Sequence, residues 1–157
     1  CLFKLDDKTA VLEASIDEAT LNAHSDLLKD DEFVVITGRV QHDHFSGGLR
    51  VKAQKVLGLA DARCRFARYL QVDAAHKVPD VLRILREFPA KLEYAEEGEL
   101  RHGLKIRLGV RCEAQGVAAV AELDVGDKHK FYPSDAALAA WRAEVGNTGC
   151  QIVWRGA

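Results

Sequence analysis

Hydrophobic and polar residues alternate at the start of the chain in the manner of a β-hairpin. Residues 1–5 and residues 10–16 carry apolar side chains at short intervals, and the polar run Asp6-Asp7-Lys8-Thr9 separates them. Two such runs joined by a short polar turn are typical of antiparallel strands. The period then changes over residues 17–28, where apolar side chains recur at helical spacing. This segment is therefore predicted to form a short amphipathic helix.

Two further strands are predicted after this helix. Residues 33–40 form a β-branched run, and the alternation in residues 49–56 predicts that Leu49, Val51 and Ala53 point inward. Glycines at positions 47 and 48 supply the backbone freedom that a hairpin turn requires. Strand, strand, helix, strand, strand is the order of a five-stranded oligonucleotide-binding (OB) barrel without its first strand. We therefore expect an incomplete OB-fold β-barrel over residues 1–65.

A second module is predicted over residues 66–157. One helix is expected between Pro79 and Pro89, and another begins after Ser134, a good N-cap residue, and stops at Gly146. The apolar face of the first helix is predicted to contain Val81, Leu82, Leu85 and Phe88. A strand is predicted before the first helix, and further strands over residues 91–94, 104–110, 117–123 and 150–154. The expected fold class is thus α+β in two small modules, the second being a compact domain with two helices on a small sheet.

The composition restricts the functional classes. The chain has 157 residues, 48% of them hydrophobic, and a formal net charge of −2. This is enough apolar material for folded cores, and the near-neutral charge excludes binding to nucleic acid through overall charge. No apolar run approaches the roughly 20 residues that span a bilayer, so a soluble cytoplasmic protein is expected. The chain has no methionine and opens within a predicted strand, which indicates a piece of a longer protein.

Residues with the spacing of a catalytic or metal site are few. His42 and His44 flank Asp43, and alternate strand residues share a face, but no further ligands accompany them, and a polar hairpin loop is the alternative. No nucleophile, P-loop or dinucleotide-binding motif is present. The cysteines lack the spacing of a zinc ribbon or a disulfide framework, so reduced thiols are expected. They are Cys1, Cys64, Cys112 and Cys150.

A local excess of basic residues lies between Phe45 and Leu70. Six basic residues and one acidic residue give this segment a net charge of +5, so the rest of the chain carries −7. Cations neutralise phosphates and aromatic rings stack on unpaired bases, which makes the segment a candidate groove for a single strand, with Phe45 as the stacking residue. Alternating Arg and Lys are also typical of the solvated face of an ordinary strand, and composition does not decide between the two.

The same region resembles a known family. Residues 38–56 read G-R-V-Q-H-D-H-F-S-G-G-L-R-V-K-A-Q-K-V, and residues 59–63 continue as L-A-D-A-R. This pattern is similar to the barrel near the C-terminus of the bacterial DNA polymerase III alpha subunit. Residues 132–135, Y-P-S-D, and residues 151–154, Q-I-V-W, resemble the last part of the same family.

The resemblance implies the tail of a DNA-directed DNA polymerase whose catalytic residues and Mg²⁺ lie upstream, so neither a catalytic centre nor a cofactor is expected in this chain. It implies that the barrel contacts single-stranded template DNA and that the C-terminal module docks the tau subunit of the clamp loader in the replisome. The sliding clamp would be reached through regions upstream. The residues assigned to DNA are Lys4, Phe45, Arg50 and Lys52. The residues assigned to tau are Gln151, Ile152 and Trp154.

Some alternatives stay open on the sequence alone. An OB-fold module that binds tRNA or another RNA would share the strands and the stacking aromatic residue. A pure protein-interaction module would bind tau without affinity for oligonucleotides. A small metal-dependent hydrolase would need His42, His44 and distant acidic residues to converge. Trp154 either packs into the core or projects as a partner anchor, whereas Trp141 is expected in the core.

Overall fold

The computed structural model describes residues 1–29, 31–43, 47–75, 77–95 and 98–156. The chain divides into two compact units, unit 1 being Cys1–Leu59 and unit 2 Ala60–Ala157. The described residues form ten strands and four helices, which confirms the predicted α+β class. The module boundary expected near residue 65 lies within a helix of residues 59–66. None of the helices in these ranges is long and apolar enough to cross a membrane.

Unit 1 consists of two β-hairpins and one short helix. The first hairpin pairs β1 (Leu2–Asp6) with β2 (Val11–Ser15), and the second pairs β3 (Val34–His42) with β4 (Leu49–Gly58), both antiparallel. A short parallel seam between β2 and β4 joins the hairpins, giving the sheet order β1-β2-β4-β3. The described strands form an open sheet and not a closed barrel, so the predicted strands and helix are present without barrel closure. The helix of unit 1 is α1 (Glu18–Ala23).

Local side-chain chemistry explains the ends of these elements. The Asp7 carboxylate accepts hydrogen bonds from the backbone N–H groups of Thr9 and Ala10 at 2.9 and 2.8 Å, which closes the β1–β2 turn. Asp17 caps α1 by accepting from the Thr20 N–H at 2.8 Å. The helix is shorter than predicted, because its hydrogen bonding changes to turns after Ala23.

The core of unit 1 lies at one end of the β3–β4 hairpin. Ile16, Ala53 and Val56 are buried there, and apolar side chains from β1, β3 and the α1 region pack against them. Leu49 lies at the other end of β4 and is 61% exposed. The prediction that Leu49 points into the core was therefore wrong. Strand alternation identifies the core-facing side of a strand, but it does not show how far along the strand the core extends.

Unit 2 contains a mixed four-stranded sheet, a separate two-stranded hairpin and three helices among its described residues. The larger sheet has the order β10-β5-β8-β9, with β5 parallel to β8 and antiparallel to β10. Its helices are α2 (Leu59–Phe66), α3 (Val81–Glu87) and α4 (Asp135–Val145). Its strands are β5 (Ala67–Asp73), β6 (Lys91–Ala95), β7 (Gly98–His102), β8 (Ile106–Ala114), β9 (Val117–Asp124) and β10 (Cys150–Trp154). The sequence predicted neither α2 nor β7, and it predicted the strand before α3, which is β5, without bounds.

A larger core stabilises unit 2. Trp141 of α4 is fully buried, and its ring meets that of Phe131 edge to face with centroids 5.9 Å apart. This confirms the expected core position of Trp141. The Ser134 hydroxyl accepts from the Ala137 N–H at 3.1 Å, and Gly146 adopts φ +85° at the C-terminal end, as the helix-capping pattern predicts.

The apolar face of α3 differs by one position from the prediction. Ile84 is fully buried, and Val81, Leu85 and Phe88 pack against the same core. Leu82, which was predicted to share this face, is 60% exposed. Positions 81, 84, 85 and 88 follow the i, i+3, i+4, i+7 spacing of a single helix face, and position 82 does not.

Candidate functional site

The turn end of the β3–β4 hairpin is held by Asp43 and the glycines that follow it. The Asp43 N–H donates to the Gly48 carbonyl at 2.8 Å, and the Gly47 N–H donates to the Asp43 carbonyl at 2.8 Å. Gly47 has a φ of +71°, a conformation that residues with a Cβ rarely adopt. The glycine of the sequence motif is therefore required by the turn itself.

Arg50 binds two carboxylates from different parts of unit 1. Its Nη2 atom lies 2.9 Å from Asp43 Oδ2 and 2.9 Å from Glu13 Oε2. The Asp43 side chain is only 9% exposed and that of Arg50 20%, so water screens this pair weakly. Arg50 thereby connects the turn end of the hairpin to β2 across the parallel seam. This geometry favours a positioning role for Arg50, since its charge is already compensated.

The strand register places several polar side chains on the side of the sheet opposite the core. Residues directly opposite one another on paired strands point to the same side. Lys4 of β1 opposes Glu13 of β2, and Lys52 of β4 opposes Arg39 of β3. We call this side of unit 1 the polar face; its polar residues are Lys4, Asp6, Glu13, Ser15, Arg39, Gln41, Arg50 and Lys52.

Three cations of the polar face form no salt bridge with the described residues. Lys4, Arg39 and Lys52 are exposed, and no carboxylate of the described residues lies within ion-pairing distance of their side chains. Arg39 and Lys52 lie directly opposite each other, an arrangement that disfavours the sheet by like-charge repulsion. A bound anion would remove this repulsion, so the pair is a candidate contact for a phosphate.

Arg39 was not among the residues assigned to DNA from the sequence. The signal that identifies it is the hairpin register: His42 pairs with Leu49, so counting back three positions pairs Arg39 with Lys52. A β-bulge begins only beyond this point, between Thr37 and Gly38. The Gly47–Gly48 turn was recognised in the sequence, but a two-residue turn there would have given a different register, so the pairing of Arg39 with Lys52 comes from the structure.

The remaining predictions for the hairpin have different outcomes. Phe45 and His44 lie outside the described residues, so base stacking by Phe45 stays a prediction. His42 ends β3. No group of three or more potential ligands gathers into a metal site within the described parts of the chain.

Burial raises the pKa of the Cys64 thiol to about 11, so this thiol is protonated at neutral pH.

The residues assigned to tau lie on the terminal strand β10. Ile152 opposes Leu70 of β5 and packs against the core of unit 2, so its side chain is only partly accessible. Gln151 is exposed, and Trp154 is 54% exposed at a point where the register with β5 shifts. Within the described residues β10 pairs on one side only. Its other edge offers backbone groups, and Trp154 a large apolar surface, to a partner.

Known proteins similar to this chain are DNA polymerase III alpha subunits. The alpha subunit of Neisseria meningitidis is 35% identical over 166 residues, covering 96% of this chain. The alpha subunits of Vibrio cholerae and Escherichia coli are 28% and 29% identical and cover 96% and 94% of it. No family model matches. The chain is homologous to a segment of the DNA polymerase III alpha subunit.

This homology to the alpha subunit extends over both units, because the matches cover almost the entire chain. The chain spans 12% of the length of these relatives. A segment of this extent is consistent with a C-terminal fragment of an alpha subunit.

Proposed function

We propose that this chain is the part of an alpha subunit that contacts single-stranded template DNA with unit 1 and docks the tau subunit with unit 2. The observation that carries the DNA assignment is the group of three exposed cations on the polar face, Lys4, Arg39 and Lys52, which form no salt bridge with the described residues. A strand of DNA supplies regularly spaced negative charges, and its binding would release the condensed counterions. Polymerisation itself, and the Mg²⁺ it needs, belong to parts of an alpha subunit upstream of this segment.

Within this proposal the polar-face residues have two different tasks. Lys4, Arg39 and Lys52 contact phosphates, because their charges are exposed and unpaired. Arg50, held between Asp43 and Glu13, fixes the end of the hairpin next to the turn. This division differs from the expectation that Arg50 contacts DNA directly.

Fluorescence anisotropy of a labelled oligo-dT, titrated with the chain at several salt concentrations, tests the DNA assignment. The Arg39→Gln/Lys52→Gln variant should bind more weakly, and the slope of log K against log salt should fall by about 1.4, because each lost contact to a single strand lowers it by about 0.7. Lys29→Gln, which removes an exposed charge of unit 1 elsewhere, is the matched control. An unchanged slope in the double variant would refute the assignment. Tighter binding of oligo-rU than of oligo-dT would favour the RNA-binding alternative.

The tau assignment is supported by the open edge of β10 and by Trp154. Strand addition to an exposed edge uses backbone hydrogen bonds, and a half-buried tryptophan is a common anchor at interfaces. Trp154→Ala should weaken binding to purified tau at least tenfold in a titration followed by surface plasmon resonance. Leu82→Ala removes an apolar side chain of similar exposure, 60% against 54%, and should bind as the parent does. Equal affinities for both variants would exclude Trp154 from the interface.

A further inference from the structure

Unit 2 contains a second concentration of positive charge, formed by residues other than those of the polar face. A cavity of about 200 Å³ lies between the end of α2, the start of β5, the end of β7 and the residues that follow β10. We call it the basic pocket. The charged side chains that line it, apart from His102, are Arg68, Arg101, Lys105, Lys130 and Arg155.

All five of these side chains are cationic, and no carboxylate of the described residues lines the pocket. Two of them have partners nearby: Arg101 donates to the Lys128 carbonyl at 3.1 Å, and Lys105 forms an ion pair with Asp127. No carboxylate in the described ranges is within ion-pairing distance of Arg68, Lys130 or Arg155. Arg68 and Lys130 interact electrostatically with Asp124 and Asp127, which lie outside the pocket lining. Cations that outnumber the carboxylates around one concave site raise the local positive potential and attract anions.

The fold holds two of these cations together. The register of β5 with β10 shifts between Val153 and Trp154, so Tyr69 opposes Val153 whereas Ala67 opposes Trp154. Arg68 is the extra residue of this irregularity. The Arg155 N–H donates to the Phe66 carbonyl at 3.1 Å, which anchors the next residue of the chain beside it. The backbone therefore fixes the positions from which both guanidinium groups extend.

The size and chemistry of the pocket suit a phosphoryl group. Its volume corresponds to about seven water molecules, which is enough for a tetrahedral oxyanion. Guanidinium groups bind phosphate oxygens through paired hydrogen bonds, and the three arginines provide such donors. The floor near Gly103 is closely packed, because a Cβ there would lie 2.8 Å from Ala90 Cβ and from the Phe131 carbonyl oxygen.

We propose that unit 2 binds a phosphate group of a nucleic-acid strand in the basic pocket. The site goes beyond the proposed contact of DNA with unit 1, since it uses different residues in a different unit. A phosphodiester is favoured over an acidic peptide segment because the cations surround one compact cavity. A peptide would need charges spread along a groove with pockets for its other side chains.

Two titrations of the complete chain test this proposal. Inorganic pyrophosphate is the first probe, with binding followed by calorimetry and by the NMR signals of arginine Nε–H groups. The Arg68→Gln/Arg155→Gln variant should bind pyrophosphate at least tenfold more weakly. Arg86→Gln/Arg111→Gln, which removes two arginines of unit 2 that do not line the pocket, should bind as the parent does. Equal loss in both double variants would refute a specific site.

Labelled oligo-dT is the second probe. The pocket variant should lower the salt slope by about 1.4, as expected for two lost contacts to a single strand. If the pocket variant lowers the salt slope and Arg39→Gln/Lys52→Gln leaves it unchanged, the proposed DNA contact of unit 1 is refuted and the basic pocket is supported. If only Arg39→Gln/Lys52→Gln lowers the salt slope, the proposal for the basic pocket is refuted. Lys130→Gln serves as a milder second variant if the double variant is unfolded by circular dichroism. The proposal would also be refuted if poly-glutamate displaced pyrophosphate while the pocket variant left oligo-dT binding unaffected. Those two results together would identify an acidic protein segment as the ligand of the pocket.

Discussion

Arg50 shows how a motif residue can serve the structure before it serves a ligand. Its guanidinium compensates Asp43, whose side chain is 9% exposed, and Glu13 on the neighbouring hairpin. A buried carboxylate that loses its partner retains the full desolvation penalty. Arg50, the basic residue of the G-G-L-R sequence, thus forms an ion pair with Asp43 on the other side of the turn.

We expect Arg50→Gln to destabilise unit 1 by about 2 kcal/mol, because Asp43 is left without its cation. Urea denaturation monitored by far-UV circular dichroism measures this change. Lys52→Gln, two residues along the same strand and exposed, should alter stability by less than about 0.5 kcal/mol. A double-mutant cycle with Asp43→Asn isolates the pair, and additive effects of the two substitutions would contradict the assigned interaction.

At the scale of elements, α4 was predictable because its determinants are local. Ser134, Asp135 and Gly146 mark its ends, and Leu138 and Trp141 lie one turn apart on its buried side. Helix α2 was missed, and strand β5 was predicted without its bounds, because no glycine or proline separates Phe66 from Ala67, where one element passes directly into the next. Strand β7 was missed since charged residues dominate its sequence, G-E-L-R-H. The paired state of Arg50 was also beyond sequence patterns, because Glu13 is 37 positions away.

The corrected face of α3 leads to a matched pair of substitutions. Ile84→Ala should lower the stability of unit 2 by about 3 kcal/mol, because it opens a cavity among fully buried side chains. Leu82→Ala should cost less than about 0.5 kcal/mol, since this side chain is 60% exposed. Guanidinium denaturation followed by tryptophan fluorescence reports on this unit. Equal costs at the two positions would contradict the assigned helix face.

Glu144 connects α4 to α3 and to the segment before it. Its carboxylate lies 2.9 Å from Lys77 Nζ and 2.8 Å from Arg83 Nη2. The hydrogen bond from Lys77, followed by that from Arg83, lowers the Glu144 pKa from 4.5 to about 2. A lowered pKa in the folded state means that the contribution to stability is complete above pH 4.5 and is lost as the pH falls toward 2.

We therefore expect Glu144→Gln to be less stable than the parent at pH 6 and to approach it as the pH is lowered through this window. Thermal unfolding at pH 6, 4.5 and 3 measures the difference between the two proteins. Glu87→Gln, which removes the more exposed carboxylate on Arg83, should show a smaller dependence. A difference that grows toward low pH would contradict the assigned pairing.

At the scale of the whole molecule, the two units differ in the size of their cores. Ten buried apolar residues form the cluster in unit 2, whereas three form the cluster in unit 1. Hydrophobic burial is the main stabilising contribution to folding, so unit 1 should be the less stable of the two. Both tryptophans, Trp141 and Trp154, lie in unit 2, so their fluorescence reports on that unit alone.

This difference should separate the unfolding transitions. Far-UV circular dichroism, which reports on both units, should begin to change at a lower urea concentration than tryptophan fluorescence. Arg50→Gln should shift only the earlier change, and Ile84→Ala only the fluorescence transition. Coincident curves for the parent and for both variants would show that the chain unfolds as one cooperative unit.

The parallel seam of unit 1 also determines the order in which this unit can fold. Each hairpin joins residues close in sequence and can form within microseconds, whereas the seam joins only three residue pairs, beginning with Glu13 and Arg50. Forming the seam closes the long loop between residues 15 and 50, and the entropic cost of closure comes before the few backbone hydrogen bonds of the seam can form. Docking of the hairpins is then the slow step, and the Arg50–Glu13 contact acts on the folding rate of the sheet. Among the amides of residues 13–15 and 50–52, those that donate across the seam would be the first in the sheet to exchange with solvent when the hairpins separate, because the others stay bonded within their own hairpin.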